Sequence, residues 1–233
     1  MAMSPAEMSA FHAEQAQESM EALDSPNVRN EPTLLEFNTG DAAQNYLMSA
    51  LIDWRHQFAD PRPKLQLALE TGLTALETLP SLDSPTPLPA RFRFYDIVFV
   101  GQLIDAKIPA ACQPLIKKCC AAEEVEPRLD YALAAAVLGA PEELKQVIAG
   151  GKFSKRQKLL KQTYQTYAQL LAGDATAMEA AESNFLARAK DQYYSGGPEI
   201  EGGGPDNVHV IDYRLASIIK SQGMQPNSIH ALP

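Results

Sequence analysis

The sequence predicts an all-α protein, either an antiparallel helical bundle or a solenoid-like array of helix pairs. Three observations predict it. Ala, Leu, Glu, Gln and Lys dominate the composition while β-branched runs are scarce, a mixture that favours helix. Apolar residues recur at helical rather than alternating spacing through most of the chain. Pro109, Pro127 and Pro141 each stand where a helical run begins, the position at which a missing N–H costs nothing. At 233 residues the chain is long enough to bury about 70% of its unfolded surface, so a core can form without disulfides or a structural metal.

Residues 2–23 have helical composition, but Met8, Phe11, Ala16, Met20 and Leu23 are sparse for a core-facing stripe, and Ser25-Pro26 stops the run. The expectation for residues 1–38 is an acidic, weakly helical arm, followed by a single all-helical domain over 39–233. Thr39-Gly40-Asp41 reads as the start of a strong helix through Ala43, Leu47, Ala50, Leu51, Trp54 and Phe58, with Asp41 near its N-terminus, closed by Pro61 and Pro63. Lys64 to Leu79 carries a stripe of Leu65, Leu69, Leu73 and Leu76, and the two runs make a helical hairpin. Pro80, Pro85, Pro87 and Pro89 define a connector at 80–90, the best boundary in the chain.

Phe94, Tyr95, Ile97, Val98, Phe99 and Val100 have strand composition, but no second strand exists to pair with them, and a lone strand cannot satisfy its backbone. A buried helix over 91–106 is expected instead. Further helices follow: Pro109 to Cys120, Pro127 to Leu138, and a short one from Pro141 with Glu142 and Glu143 suiting the positive end of its dipole. Ser154 opens a helix closed by Gly173, and Asp174 opens the next, to Tyr194. A Gly-rich loop occupies 195–205; Asp206 or Asn207 is expected to begin the last helix, with Leu215, Ile218 and Ile219 facing inward and Gly223 ending it.

The net charge of -9 is uneven. Residues 1–38 hold seven acids against Arg29, whereas the remainder carries 22 acids and 19 bases. An acidic chain gains nothing from counterion release, which argues against direct binding of nucleic acid and for a partner protein with a basic surface. No run approaches 18 unbroken apolar residues, so no membrane span is expected. Residues 1–10 lack the basic and apolar regions of an export signal, so a cytoplasmic location is expected.

Nothing resembles a catalytic or metal-binding motif, and neither enzymatic activity nor a cofactor is expected. Cys112, Cys119 and Cys120 are too few and too clustered for a disulfide framework, and no histidine lies near them; Cys112 and Cys119 fit core packing on one helix face. His12, His56, His209 and His230 are scattered. The Gly-rich loop lacks a preceding strand and a P-loop lysine, and its acids would repel phosphate. Glu123, Glu124 and Glu126 fit a solvated turn, and Lys152, Lys155, Arg156, Lys158 and Lys161 fit a solvated helix start that could also pair with the acidic arm. Candidate partner-binding residues are therefore the acids: Glu14, Glu18, Glu21 and Asp24 in the arm, and Glu199, Glu201 and Asp206 in the loop.

Late in the chain, Glu182-Ser-Asn-Phe-Leu-Ala-Arg-Ala-Lys190, Tyr193-Tyr-Ser-Gly-Gly197, Gly204-Pro-Asp-Asn207 and Asp212-Tyr-Arg-Leu-Ala-Ser-Ile-Ile-Lys220 together resemble helical immunity proteins of bacterial polymorphic-toxin and type VI secretion systems. The resemblance implies a protein that binds a co-encoded secreted toxin in the producer's cytoplasm and blocks or distorts its active site. A nuclease is the kind of toxin that an acidic inhibitor suits, because the inhibitor's carboxylates take the place of substrate phosphates. The alternative is a helical adaptor or secretion chaperone that binds a protein without suppressing an activity. Homodimerisation is left open.

Overall fold

The computed structural model describes residues 3–78, 94–110, 112–119, 125–195 and 211–225. The protein is all-α: the described residues form eleven α-helices and two short 3-10 turns, with no strand among them. The expected connector at 80–90 lies outside the described residues, as do Glu199, Glu201 and Asp206; of the Gly-rich loop expected at 195–205, Ser195 is the last residue of a helix and the rest lies outside them. The chain divides into two compact units, residues 3–106 and 107–231, whereas the sequence suggested an arm followed by one domain.

Unit 1 is built around α3 (Pro32–His56), against which α1 (Pro5–Ala22), the single turn α2 (Pro26–Arg29) and α4 (Arg62–Thr78) pack; α5 (Phe94–Leu103) packs on α4. The N-terminal segment is thus a docked helix, with Met8, Ser9, His12 and Ala16 buried. Its few apolar positions understate the docking because polar side chains, Ser9 and His12, share the buried face with Met8 and Ala16. Ser4 and Glu7 form a capping box that fixes its start. Helix α3 begins at Pro32, not at Asp41, and Gly40 lies buried in its interior. Glycine costs a helix about 1 kcal/mol, which tertiary packing easily outweighs. Gln57 in the left-handed conformation ends α3, so Phe58 lies outside it, half exposed and stacked on His56.

The ambiguous apolar run is the helix α5. Tyr95, Ile97, Val98, Phe99, Val100 and Leu103 are all buried, as expected of a helix apolar on every side. Trp54, expected in the core, is 3% exposed, and Phe185 is also buried; the side chain of Phe94 lies outside the described residues.

Unit 2 comprises α6 (Cys112–Cys119), α7 (Val125–Val137), α8 (Pro141–Gly150), α9 (Lys158–Leu171), α10 (Met178–Ser195) and α11 (Tyr213–Ser221). Helix α9 is its hub and touches α7, α8, α10 and α11. Ser154 and Asp174 cap the 3-10 turns that lead into α9 and α10, and Gly173 and Gly223, both at positive φ, stop α9 and α11. The last helix starts later than expected: Asp212 caps it, accepting from Leu215 N at 3.2 Å. Cys112 is a free, buried thiol, and burial pushes its pKa up to about 11.

Candidate functional site

Of the acids singled out in the sequence, Glu14, Glu18, Glu21 and Asp24 are described, and all four are exposed. At 3.6 residues per turn, Glu7, Glu14, Glu18 and Glu21 fall within an arc of about 60° on α1, on the side turned away from His12 and Ala16. One face of α1 is therefore docked and the other is a stripe of carboxylates. Glu7 was not among the candidates; the backbone N–H of Ser4 bonded to its carboxylate holds its pKa below the usual range, so it adds a charge to the stripe. Gln15 and Gln17 donate to Glu18 and Glu21 and steady them. Asp24 stands apart: it lies beyond the helix and is paired with Arg29 at 2.6 Å, so its charge is compensated.

The stripe is held in place by the inner face of α1, which runs antiparallel to α3 along three polar rungs. Ser9 meets Ser49 and Asp53, His12 Nδ1 lies 2.8 Å from Asn45 Oδ1, and Ser19 donates to Asp41 at 2.9 Å. Asp41 thus serves as the acceptor in a rung, not as the helix cap suggested by its place after Gly40. The first rung extends to α4, where Lys64 Nζ donates to Asp53 at 2.6 Å and to Ser49 at 2.7 Å. A serine beside a lysine suggests a nucleophile and its base. Here Ser9 and Ser49 are 4% and 0% exposed, Ser9 donates to Asp53 at 2.6 Å, and Lys64 directs its protons at three oxygen atoms. The geometry is that of a tie joining α1, α3 and α4.

Unit 2 contains a second buried network that the sequence did not reveal. Tyr164 donates to Asp130, Tyr167 donates to Asp212, and Arg214 Nε lies 2.7 Å from Asp130. The two rings meet edge to face at 5.4 Å. Burial, reinforced by the neighbouring carboxylates, pushes both tyrosine pKa values well above 10, against the smaller opposing pull of nearby arginines. Both hydroxyls therefore stay protonated in the folded state at pH values where an unfolded chain loses them. Above pH 10 the unfolded state binds fewer protons, so stability falls as pH rises, by about 1.4 kcal/mol per pH unit for each tyrosine. In an alkaline titration, tyrosinate absorbance should rise in two phases, the second coinciding with loss of helical circular dichroism. A single phase completed while the helices persist would contradict the buried pairs.

Among the described residues no group of three or more His, Cys, Asp and Glu is placed to hold a metal ion, and no helix is long and apolar enough to cross a membrane. His56 is taken up by its stack on Phe58, and Lys155 and Lys158 are exposed while Lys161 lies 5.2 Å over the Phe153 ring. His209 and His230 lie outside the described residues, as do Glu123 and Glu124.

The fold and the carboxylate stripe define the class: an all-α protein with an acidic, helix-borne surface. No protein-family model matches the chain, and no similar curated protein or solved structure was found.

Proposed function

We propose that this chain is an immunity protein: it binds a cognate secreted toxin, of nuclease type, in the cytoplasm of the producing bacterium and neutralises it. The observation that carries the proposal is the stripe of Glu7, Glu14, Glu18 and Glu21, exposed on a helix whose opposite face is fixed to α3. Four carboxylates on a docked helix form a preorganised anionic surface, which steers a basic partner and loses little entropy on binding. A nuclease groove shaped for phosphates presents the complementary charge. The polar tie through Ser9, Asp53 and Lys64 has a supporting role: it keeps the stripe in register. Tight inhibition requires about 800 Å² buried on each partner, so the stripe must be part of a larger contact.

The test is calorimetry against the product of the adjacent gene, with the toxin's activity assayed in parallel. Nanomolar binding with loss of toxin activity is expected, and no complex at micromolar concentration would remove the proposal. Binding that leaves the activity intact would favour a helical adaptor or secretion chaperone. Reversing Glu14, Glu18 and Glu21 together to lysine should slow association by at least about tenfold at low salt, with a smaller effect at high salt. Asp24→Lys alone, already paired with Arg29, should do far less. Equal effects would count against the stripe.

A further inference from the structure

The basic concentration is left unused by this proposal. Although the chain is acidic overall, residues 144–173 contain Lys145, Lys152, Lys155, Arg156, Lys158 and Lys161 and not one Asp or Glu. Two of these bases line an open cleft of about 750 Å³ formed by α8, α9 and α10, a size within the range of ligand sites. Gln162, Gln165 and Gln169 from α9 and Asn184 from α10 share its walls with Lys145 and Lys161, and none of its lining residues carries a carboxylate.

We propose that this cleft binds an extended acidic peptide segment of a partner protein, pairing its backbone with the amide side chains and its carboxylates with Lys145 and Lys161. Each amide offers two N–H donors and a carbonyl acceptor, the complement of a peptide group. Gln162, Gln165 and Gln169 stand at i, i+3 and i+7, on one side of α9. The seven-residue span rises about 10.5 Å, close to the length of three extended residues, and the step from Gln165 to Gln169 rises about 6 Å, close to the two-residue repeat of an extended chain. Lys145 is paired with Glu142 at 2.7 Å, an exposed pair worth little that a peptide carboxylate can displace, and Lys161 lies over Phe153. Single-stranded nucleic acid would use aromatic platforms for stacking, and no aromatic residue lines the cleft.

The cleft and the α1 stripe share no residue, so the two proposals stand or fall separately. The test uses the full-length chain and a fluorescein-labelled peptide of alternating Glu and Gly, followed by anisotropy at low salt. A neutral Gln–Gly peptide and a single-stranded oligonucleotide of equal charge serve as comparisons. Micromolar binding of the acidic peptide is expected, with a loss of at least tenfold in Lys145→Glu/Lys161→Glu. Gln165→Leu/Gln169→Leu should lose at least fivefold without changing the salt dependence, since it removes hydrogen-bonding groups and no charge. All four side chains lie at the surface of the cleft, and unchanged circular dichroism would show that the variants fold. Absence of peptide binding, equal binding by the variants, or preference for the oligonucleotide would each overturn the proposal.

Discussion

Replacing Asp130 by alanine is expected to destabilise unit 2 by about 3–5 kcal/mol, because it strips a buried arginine of its counterion and a buried tyrosine of its acceptor. Tyr164 is completely buried and cannot turn to water for a replacement partner, and Arg214, with 15% of its side chain exposed, can do so only in small part. The cost falls on α7, α9 and α11 together, since Asp130, Tyr164 and Arg214 come one from each. Urea unfolding followed by helical circular dichroism measures it. Arg214→Leu in the Asp130→Leu background should be less damaging than either single change, because the double variant leaves no unpaired buried charge. A cost below about 1 kcal/mol for Asp130→Ala, or strict additivity in the cycle, would show that the network contributes little.

Truncating Trp54 to alanine should cost unit 1 about 3–5 kcal/mol. It is the only tryptophan, 3% exposed, and it sits one residue after Asp53, so its ring and the polar tie occupy adjacent positions on α3. Trp54→Phe keeps most of the buried apolar area and should cost well under half as much. Thermal unfolding followed by circular dichroism separates the two; equal losses would mean that the indole fills no packed site. Tryptophan emission of the unsubstituted chain should be blue-shifted and should move to longer wavelength as unit 1 unfolds.

The helices were legible where a single physical signal sufficed. Pro141 with Glu142 and Glu143, Ser154, and the stops at Gly173 and Gly223 are local chemistry, and the structure places elements there accordingly. The apolar run at 94–100 reads as helix because no partner strand exists for it, and the structure has a helix there with Tyr95 to Val100 buried. The misreading of the N-terminal segment has a physical cause. Segments whose contacts are polar looked unimportant: residues 5–22 carry too few apolar residues to suggest docking, yet Ser9, His12 and Ser19 fasten them to α3. A weak signal did exist, since Asp53 lies within Leu51-Ile52-Asp53-Trp54, and Asp130 between Leu129 and Tyr131. A carboxylate inside an apolar run needs a buried partner.

The sequence by itself determined the all-helical class, the positions of most helices and the acidity of the N-terminal segment, because helix propensity, capping and charge are properties of neighbouring residues. Only the tertiary structure decided that the N-terminal acids stand on a docked helix, that the chain forms two compact units, and that tyrosines, carboxylates and an arginine meet inside the second. Those outcomes depend on hydrogen bonds between residues 22 to 84 positions apart, and no local pattern encodes which distant partner will satisfy a buried polar group.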